Sequence, residues 1–297
     1  MLKVISFLAV VMMASSAAAQ TVSVETYNGT IDVQKSPKNV AVFDLATLDT
    51  LTALGVKVSG TVRPVFLSYL EDGASDTVPV GSLFEPDFEA VSALQPDLII
   101  AGGRSSKQVS ELARIAPAID MTIWKDTVGD GLARLASYGE IFNRREEAAT
   151  LAAAFMDKLT QAKTALAGQG RALIVMTNGP KVSAYGAGGR FGWLHDALDL
   201  PEAVKSVEQA THGEAISFEF IREANPEILL VIDRLAAIGR DGDSAQTTLD
   251  NALVRETKAW KTGRVAYLSP APIYIAGGGI QSMNLTLDEI LAGLKGS

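Results

Sequence analysis

The chain has no cysteine in its 297 residues. Disulfides, thiolate metal ligands, a cysteine nucleophile and a thioether lipid anchor are therefore all excluded. Histidine is nearly as scarce: His195 and His212 are the only two, so no clustered-histidine metal site can form. Neither a His-Glu-x-x-His zinc signature nor a Gly-x-Ser-x-Gly nucleophile elbow occurs. The triple glycine Gly277 to Gly279 lacks the Lys-Ser/Thr ending of a phosphate-binding loop. Positive charge is in deficit, with 26 Lys and Arg against 34 Asp and Glu and a net charge of −8. That balance argues against nucleic acid and anionic membrane surfaces as partners. Past the first twenty residues, no apolar run approaches the roughly 20 residues needed to span a bilayer.

The start of the chain is different. Met1-Leu2-Lys3, an apolar run from Val4 to Met13, and Ala17-Ala18-Ala19 have the layout of a secretory signal with a small-x-small cleavage site. Residues 1–19 are expected to be removed, leaving a mature chain from about Gln20 that is exported to the bacterial periplasm and not membrane-anchored. The remainder, 47% hydrophobic and 20% charged overall, is long enough for two domains with their own cores.

An internal repeat organises that remainder. Asp87-Phe88-Glu89-Ala90-Val91 leads through Gln95-Pro96-Asp97-Leu98-Ile99-Ile100 to Arg104. Ser217-Phe218-Glu219-Phe220-Ile221 leads through Asn225-Pro226-Glu227-Ile228-Leu229-Leu230 to Arg234, at a common offset of 130 residues. Each copy reads as a short capped helix stopped before a proline, then a buried apolar strand whose end delivers an arginine. Between the copies, Arg144 to about Leu166 is free of Gly and Pro and rich in Ala, Glu, Leu, Lys and Gln, which predicts a helix of about 35 Å.

The predicted architecture is α/β: two Rossmann-like lobes joined by a long rigid helix, with a ligand cleft between them. The boundaries fall at 20–142 for the N-terminal lobe, 143–168 for the connecting helix and 169–297 for the C-terminal lobe. Residues 21–37 predict a hairpin turning at Asn28-Gly29, as an edge decoration. Open α/β sheets bind ligands beyond the carboxyl ends of their strands, which aims Arg104 and Arg234 into the cleft.

A third arginine, Arg190, sits in the glycine-rich loop Gly186 to Gly192. Three arginines at one cleft would form a positive cup in a negative protein, suited to a multiply anionic ligand. His212, in a loop leading into the second repeat helix, lies near the cleft mouth, and Tyr274 sits in a loop before the triple glycine. His195, beside Asp196, reads as a surface or capping residue.

With these elements assembled, the sequence resembles the helical-backbone class of periplasmic substrate-binding proteins, which feed ABC importers with ferric siderophores, haem or cobalamin. The resemblance rests on Phe88-Glu89-x-Val91-x-x-Leu94-x-Pro96-Asp97-Leu98-Ile99-Ile100, on Gly189-Arg190-Phe191-Gly192 and on the final Gly-rich loop, and covers nearly all of the mature chain. Within that class the chain is most similar to binders of catecholate siderophores. The likeness implies that Arg104, Arg190 and Arg234 line the pocket and that His212 and Tyr274 ligate iron. It also implies that Glu89 and Glu219 dock onto a two-subunit inner-membrane ABC permease.

The resulting expectation is a monomeric periplasmic receptor for a ferric catecholate siderophore, with no catalysis and no permanent cofactor, the Fe(III)-siderophore being its ligand. Two alternatives stand beside it. One is a haem- or cobalamin-binding protein of the same fold, and the other an exported enzyme using His212 and Glu214 as acid and base.

Overall fold

The structure, a computed structural model, describes residues 20–207 and 212–294. The expected signal, residues 1–19, lies outside the described residues, as does Thr211 beside His212.

The first two strands, β1 (Thr21–Thr26) and β2 (Gly29–Gln34), pair antiparallel around Tyr27 and Asn28. They form a two-stranded sheet of their own rather than the edge of a larger one. The hairpin is fastened to the helix Thr127–Ile141, where the Arg134 guanidinium donates to the Glu25 carbonyl at 2.8 Å.

Two five-stranded sheets follow. In the first, β3 (Val40–Val42), β4 (Gly60–Thr61), β5 (Val78–Pro79), β6 (Leu98–Ala101) and β7 (Ala118–Asp120) run parallel in the order β5-β4-β3-β6-β7. In the second, β8 (Ala172–Asn178), β9 (Lys181–Tyr185), β10 (Glu214–Ile216), β11 (Ile228–Asp233) and β12 (Val265–Leu268) take the order β10-β9-β8-β11-β12. Only β9 runs against its neighbours. Each sheet therefore orders its own strands third, second, first, fourth, fifth. The switch point lies between the first and fourth strands, and ligands of open α/β sheets sit beyond the carboxyl ends at that point.

The sequence repeat is a structural repeat. The helices Phe88–Leu94 and Phe218–Ala224 are each seven residues long, capped by Asp87 and Ser217 and closed by left-handed Gln95 and Asn225. Val91 and Ile221 are the buried anchors of the two helices. The acid after each proline binds its strand to the lobe's first strand: Asp97 Oδ2 accepts from the Lys38 and Asn39 backbone N–H groups at 2.8 and 2.9 Å, and Glu227 Oε2 from Arg171 N at 3.0 Å. The Lys258 ammonium and this Arg171 N–H together hold the Glu227 carboxyl down to about 2.

The connecting helix runs Arg145–Leu166, about 33 Å at ~1.5 Å per residue. Its buried residues Ala148, Phe155, Leu159, Ala162 and Leu166 recur at helical spacing and form a single stripe. That stripe packs against the N-terminal lobe through Thr127–Ile141 and against the C-terminal helix Ile280–Gly293. One apolar core runs through both lobes, from Val42 and Ile100 through Phe155 and Leu287 to Ile174 and Leu230, and a second cluster around Val175, Ile221 and Leu229 lies within the C-terminal lobe.

Helix Ile280–Gly293 crosses between the lobes, lying on β12 and on the first helix of the N-terminal lobe, Leu45–Ala53. It begins directly after the triple glycine, with Gly279 at its N-cap. Its first turn docks on the buried Asp49 carboxylate, which accepts from Gln281 N at 2.8 Å and Ser282 N at 3.0 Å. Gly279 is required here, since a Cβ would stand 2.7 Å from the Asp49 carboxyl carbon. The triple glycine is thus a close-approach device between lobes.

Among the described residues no helix is long and apolar enough to cross a membrane.

Candidate functional site

The site is assembled around Tyr274, which lies on the short helix Pro270–Ile275 rather than in a loop. Pro270 opens that helix, where its fixed φ and missing N–H cost nothing.

Three guanidinium groups reach this one residue from three segments. Arg104 follows β6 in the 3-10 segment Gly103–Gln108 and donates to the Tyr274 carbonyl at 3.1 Å and to the Ile275 carbonyl at 3.4 Å. Arg190 donates to the same Tyr274 carbonyl and stands 4.2 Å over the phenol ring. Arg234 follows β11, and its Nε–H donates to the Tyr274 hydroxyl at 3.2 Å while Nη1 donates to Asn178 Oδ1 at 3.3 Å. The arginines come from both lobes, so the cup exists only where the lobes meet.

The loop carrying Arg190 is held by its own backbone. Gly192 N donates to the Gly189 carbonyl and Gly189 N to the Gly186 carbonyl, each at 2.9 Å. A Cβ on Gly192 would lie 1.7 Å from the Ala187 carbonyl oxygen, so no other residue fits that turn. Phe191 is buried edge-on against Tyr185, with ring centroids 4.7 Å apart, and this anchors the loop to the sheet.

Burial raises the Tyr274 phenol, but the Arg234 hydrogen bond and the charges of Arg190, Arg234 and Arg104 outweigh it and bring its pKa below the ordinary tyrosine value. Arg190 pays for the crowding: burial first, then the charge of Arg104, lowers its own pKa. Both shifts favour an incoming anion, which would relieve the repulsion among the arginines and accept their remaining N–H donors.

Two cavities share Tyr274 in their walls. One, of about 350 Å³, is lined by Asp44, Phe84, Arg104, Trp124, Arg190, His212 and Tyr274 among others. Its neighbour, of about 560 Å³, includes Asn178, Arg190, His212, Arg234 and Tyr274. His212 is exposed and belongs to both, held by the Tyr185 hydroxyl, which donates to its carbonyl at 3.0 Å. The structure therefore brings Arg104, Arg190, Arg234, His212 and Tyr274 to one cleft.

Other expectations change. His195 is buried at 5% exposure, not at the surface. Its ring Nδ1 lies 2.8 Å from the Leu200 carbonyl and donates to it, closing the turn after its helix. Glu214 lies on β10 and, unlike His212, lines neither cavity. Glu89 and Glu219 are exposed in the first turns of the two repeat helices. Glu219 is held below the ordinary range by its own backbone N–H and by Ser217.

Sequence reasoning missed an aromatic rim. Phe84 and Trp124 are 61% and 57% exposed, an unfavourable placement for large apolar rings, and both border the cavity beside Arg104. Asp44, at the carboxyl end of β3, was missed too, although the strand-end rule that located Arg104 applies equally to it.

Among the described residues no group of three or more His, Cys, Asp or Glu could hold a metal ion.

Residues 40–272 match the periplasmic binding protein family. The chain belongs to that family. It is 37% identical over 273 residues to the petrobactin-binding protein YclQ of Bacillus subtilis, covering 90% of this chain and 86% of that one. It is 31% identical to the ferric-anguibactin-binding protein FatB of Vibrio anguillarum over 271 residues, 89% and 84% of the two chains. The YclQ crystal structure superposes with a TM-score of 0.88 at 34% identity, over 93% of this chain and 99% of that one. The periplasmic catecholate-siderophore binding protein VctP of Vibrio cholerae does so at 0.84 with 29% identity, over 92% and 100%. The α/β two-lobe fold read from the repeat is the fold of these binding proteins.

Proposed function

We propose that this protein is the extracytoplasmic receptor of an ABC iron importer, capturing a ferric catecholate siderophore in the cleft and presenting it to an inner-membrane permease dimer. The observation that carries the reading is the convergence of Arg104, Arg190 and Arg234 on Tyr274. A catecholate complex of ferric iron is anionic and rich in acceptor oxygens, and guanidinium forks supply both compensating charge and directed donors. The exposed rings of Phe84 and Trp124 offer the flat apolar faces against which catechol rings pack.

His212 and Tyr274 are assigned as iron donors. A bis-catecholate leaves two positions of the octahedral shell open, and an imidazole nitrogen with a phenolate oxygen suits ferric iron. The depressed Tyr274 pKa supports the phenolate. The names of the relatives support the cargo, since YclQ, FatB and VctP are all described as binding siderophores. Glu89 and Glu219 are assigned to docking, Arg104, Arg190 and Arg234 to ligand binding. The protein acts as a periplasmic monomer whose ligand is the ferric siderophore.

The haem alternative is weaker at this site, because one axial ligand needs no cup of three arginines. The test is a fluorescence-quenching titration with a ferric bis-catecholate, a ferric tris-catecholate, a ferric hydroxamate, haem and cobalamin. Trp124 and Trp193 line the cavity and report occupancy. Tightest, saturable quenching by a ferric catecholate is expected. Preferential binding of haem, with a sharp Soret band in place of a broad charge-transfer band, would overturn the reading.

A further inference from the structure

The two lobes share one strand order, so the residues ending their first strands occupy equivalent places at the two switch points. In the C-terminal lobe that residue is Asn178, at the end of β8. In the N-terminal lobe it is Asp44, two residues past β3. Each stands near the arginine that follows the fourth strand, Arg234 and Arg104 respectively.

The C-terminal pair is closed: Arg234 donates to the Asn178 amide oxygen at 3.3 Å. The N-terminal pair is open. Arg104 directs its donors to the Tyr274 and Ile275 carbonyls instead. Asp44 Oδ1 is taken up in capping the helix Leu45–Ala53, accepting from Thr47 N at 2.8 Å and from Thr47 Oγ1 at 3.0 Å. Neither Thr47 bond goes to Oδ2.

Oδ2 lies beside a backbone without side chains. A Cβ on Gly103 would sit 3.6 Å from Asp44 Oδ2, and one on Gly102 3.4 Å from its carboxyl carbon. Asp44 also lines the cavity of about 350 Å³ that holds Arg104, His212 and Tyr274. A carboxylate thus faces the same space as the cationic cup. Burial raises its pKa, against the Thr47 hydrogen bonds and the Arg104 charge. As a carboxylate it would repel a purely anionic ligand and stay unpaired, whereas a cationic donor would stabilise the charged form that burial disfavours.

We infer that Asp44 is a ligand-binding residue of the cleft, selecting a chelate that carries a protonated amine beside its anionic, iron-binding part. This rests on the ferric-chelate reading above. The arginines take the negative end of such a dipolar ligand, and Asp44 Oδ2 accepts from the ammonium. The cleft then separates ligands of one iron-binding chemistry by what joins their catechols.

The experiment compares two ferric bis-catecholates of equal linker length, one with a secondary amine in the linker and one with a methylene in its place. A charge-assisted hydrogen bond predicts at least about tenfold tighter binding of the amine chelate by the wild-type protein. Asp44→Asn should bring the two to parity by weakening the amine chelate and sparing the other. Asn is as good an N-cap as Asp, so the thermal midpoint should be kept, and Asp44→Ser provides a second capping variant. Equal affinities in the wild type, or a variant that strengthens both chelates alike, would overturn the role of Asp44 alone. Failure of both chelates to bind would overturn the ferric-chelate reading and this inference with it.

Discussion

The Asp49 carboxylate, at the centre of the first helix of the N-terminal lobe, accepts the backbone N–H of Gln281, at the start of the C-terminal helix, at 2.8 Å. The residues are 232 positions apart. The same carboxylate accepts from Ser282 N at 3.0 Å and the Tyr69 hydroxyl at 2.5 Å, while the Gln281 amide donates to the Asp49 carbonyl at 2.8 Å. A buried carboxyl at a helix N-terminus, reached from the opposite lobe, fixes how the lobes sit on each other.

This latch makes stability depend on pH in a definite direction. Burial outweighs the Tyr69, Gln281 and Ser282 hydrogen bonds and pushes the Asp49 carboxyl from 3.8 up to about 7. Asp49 therefore binds its proton more tightly in the folded chain than in the unfolded one. Its contribution is greatest below pH 3.8 and is lost progressively as the pH climbs to about 7, by a few kcal/mol. Unfolding of wild type and Asp49→Asn from pH 4 to 8 should show the wild type losing ground to the variant across that window. Parallel profiles would show that the carboxyl titrates as it does in the unfolded chain.

Restricted lobe motion follows from the same contacts. The connecting helix, the latch and a core continuous through both lobes oppose wide hinge closure. Small-angle scattering of the free and the ferric-catecholate-loaded protein should give nearly superimposable profiles. A large drop in radius of gyration on loading would mean that these contacts break.

Tyr274 provides a spectroscopic check on the cup. Because the Arg234 hydrogen bond and three guanidinium charges hold its phenol below the ordinary value, Arg234→Ala should raise that pKa. The measurement is an ultraviolet titration of phenolate absorbance, taken as a difference against Tyr274→Phe. An unchanged transition in Arg234→Ala would remove the electrostatic basis for a phenolate donor. In ligand binding, Tyr274→Phe and His212→Ala should each weaken a ferric bis-catecholate and shift its visible band. A tris-catecholate, whose oxygens already fill the iron shell, should be much less affected.

Much of this was legible in the sequence because the chain repeats itself. The helix caps Asp87 and Ser217 and the strand-end arginines Arg104 and Arg234 are local signals, readable from residue type and spacing. The Pro-acid step was legible as a pattern but not as a cause. Asp97 and Glu227 reach back 59 and 56 residues, to the backbone N–H groups of Lys38 and Arg171, and only the folded strands bring these together. Burial of His195 was equally hidden, since its polarity points outward and only the Leu200 carbonyl explains its place. Tyr274 looked like a loop residue because two prolines and three glycines surround it. The latch at Asp49 could not be seen at all, because nothing in a helix-centre aspartate signals a partner 232 residues away.

The repeat also bears on how cargo leaves the protein. Glu89 and Glu219 stand at matching positions in two helices of equal length, one per lobe, each exposed in the first turn. A carboxylate at that position is favoured by the helix dipole with no partner present, so position alone does not separate stability from docking. A permease made of two related subunits does separate them, because it would offer one basic patch per lobe, related by the same pseudo-symmetry as the glutamates. Removing both charges should then abolish iron uptake in cells while leaving siderophore affinity and the thermal midpoint of the isolated protein close to wild type. Each single variant, Glu89→Ala or Glu219→Ala, should fall between. If the double variant transports normally, the two carboxylates serve only their helices and the permease contacts lie elsewhere.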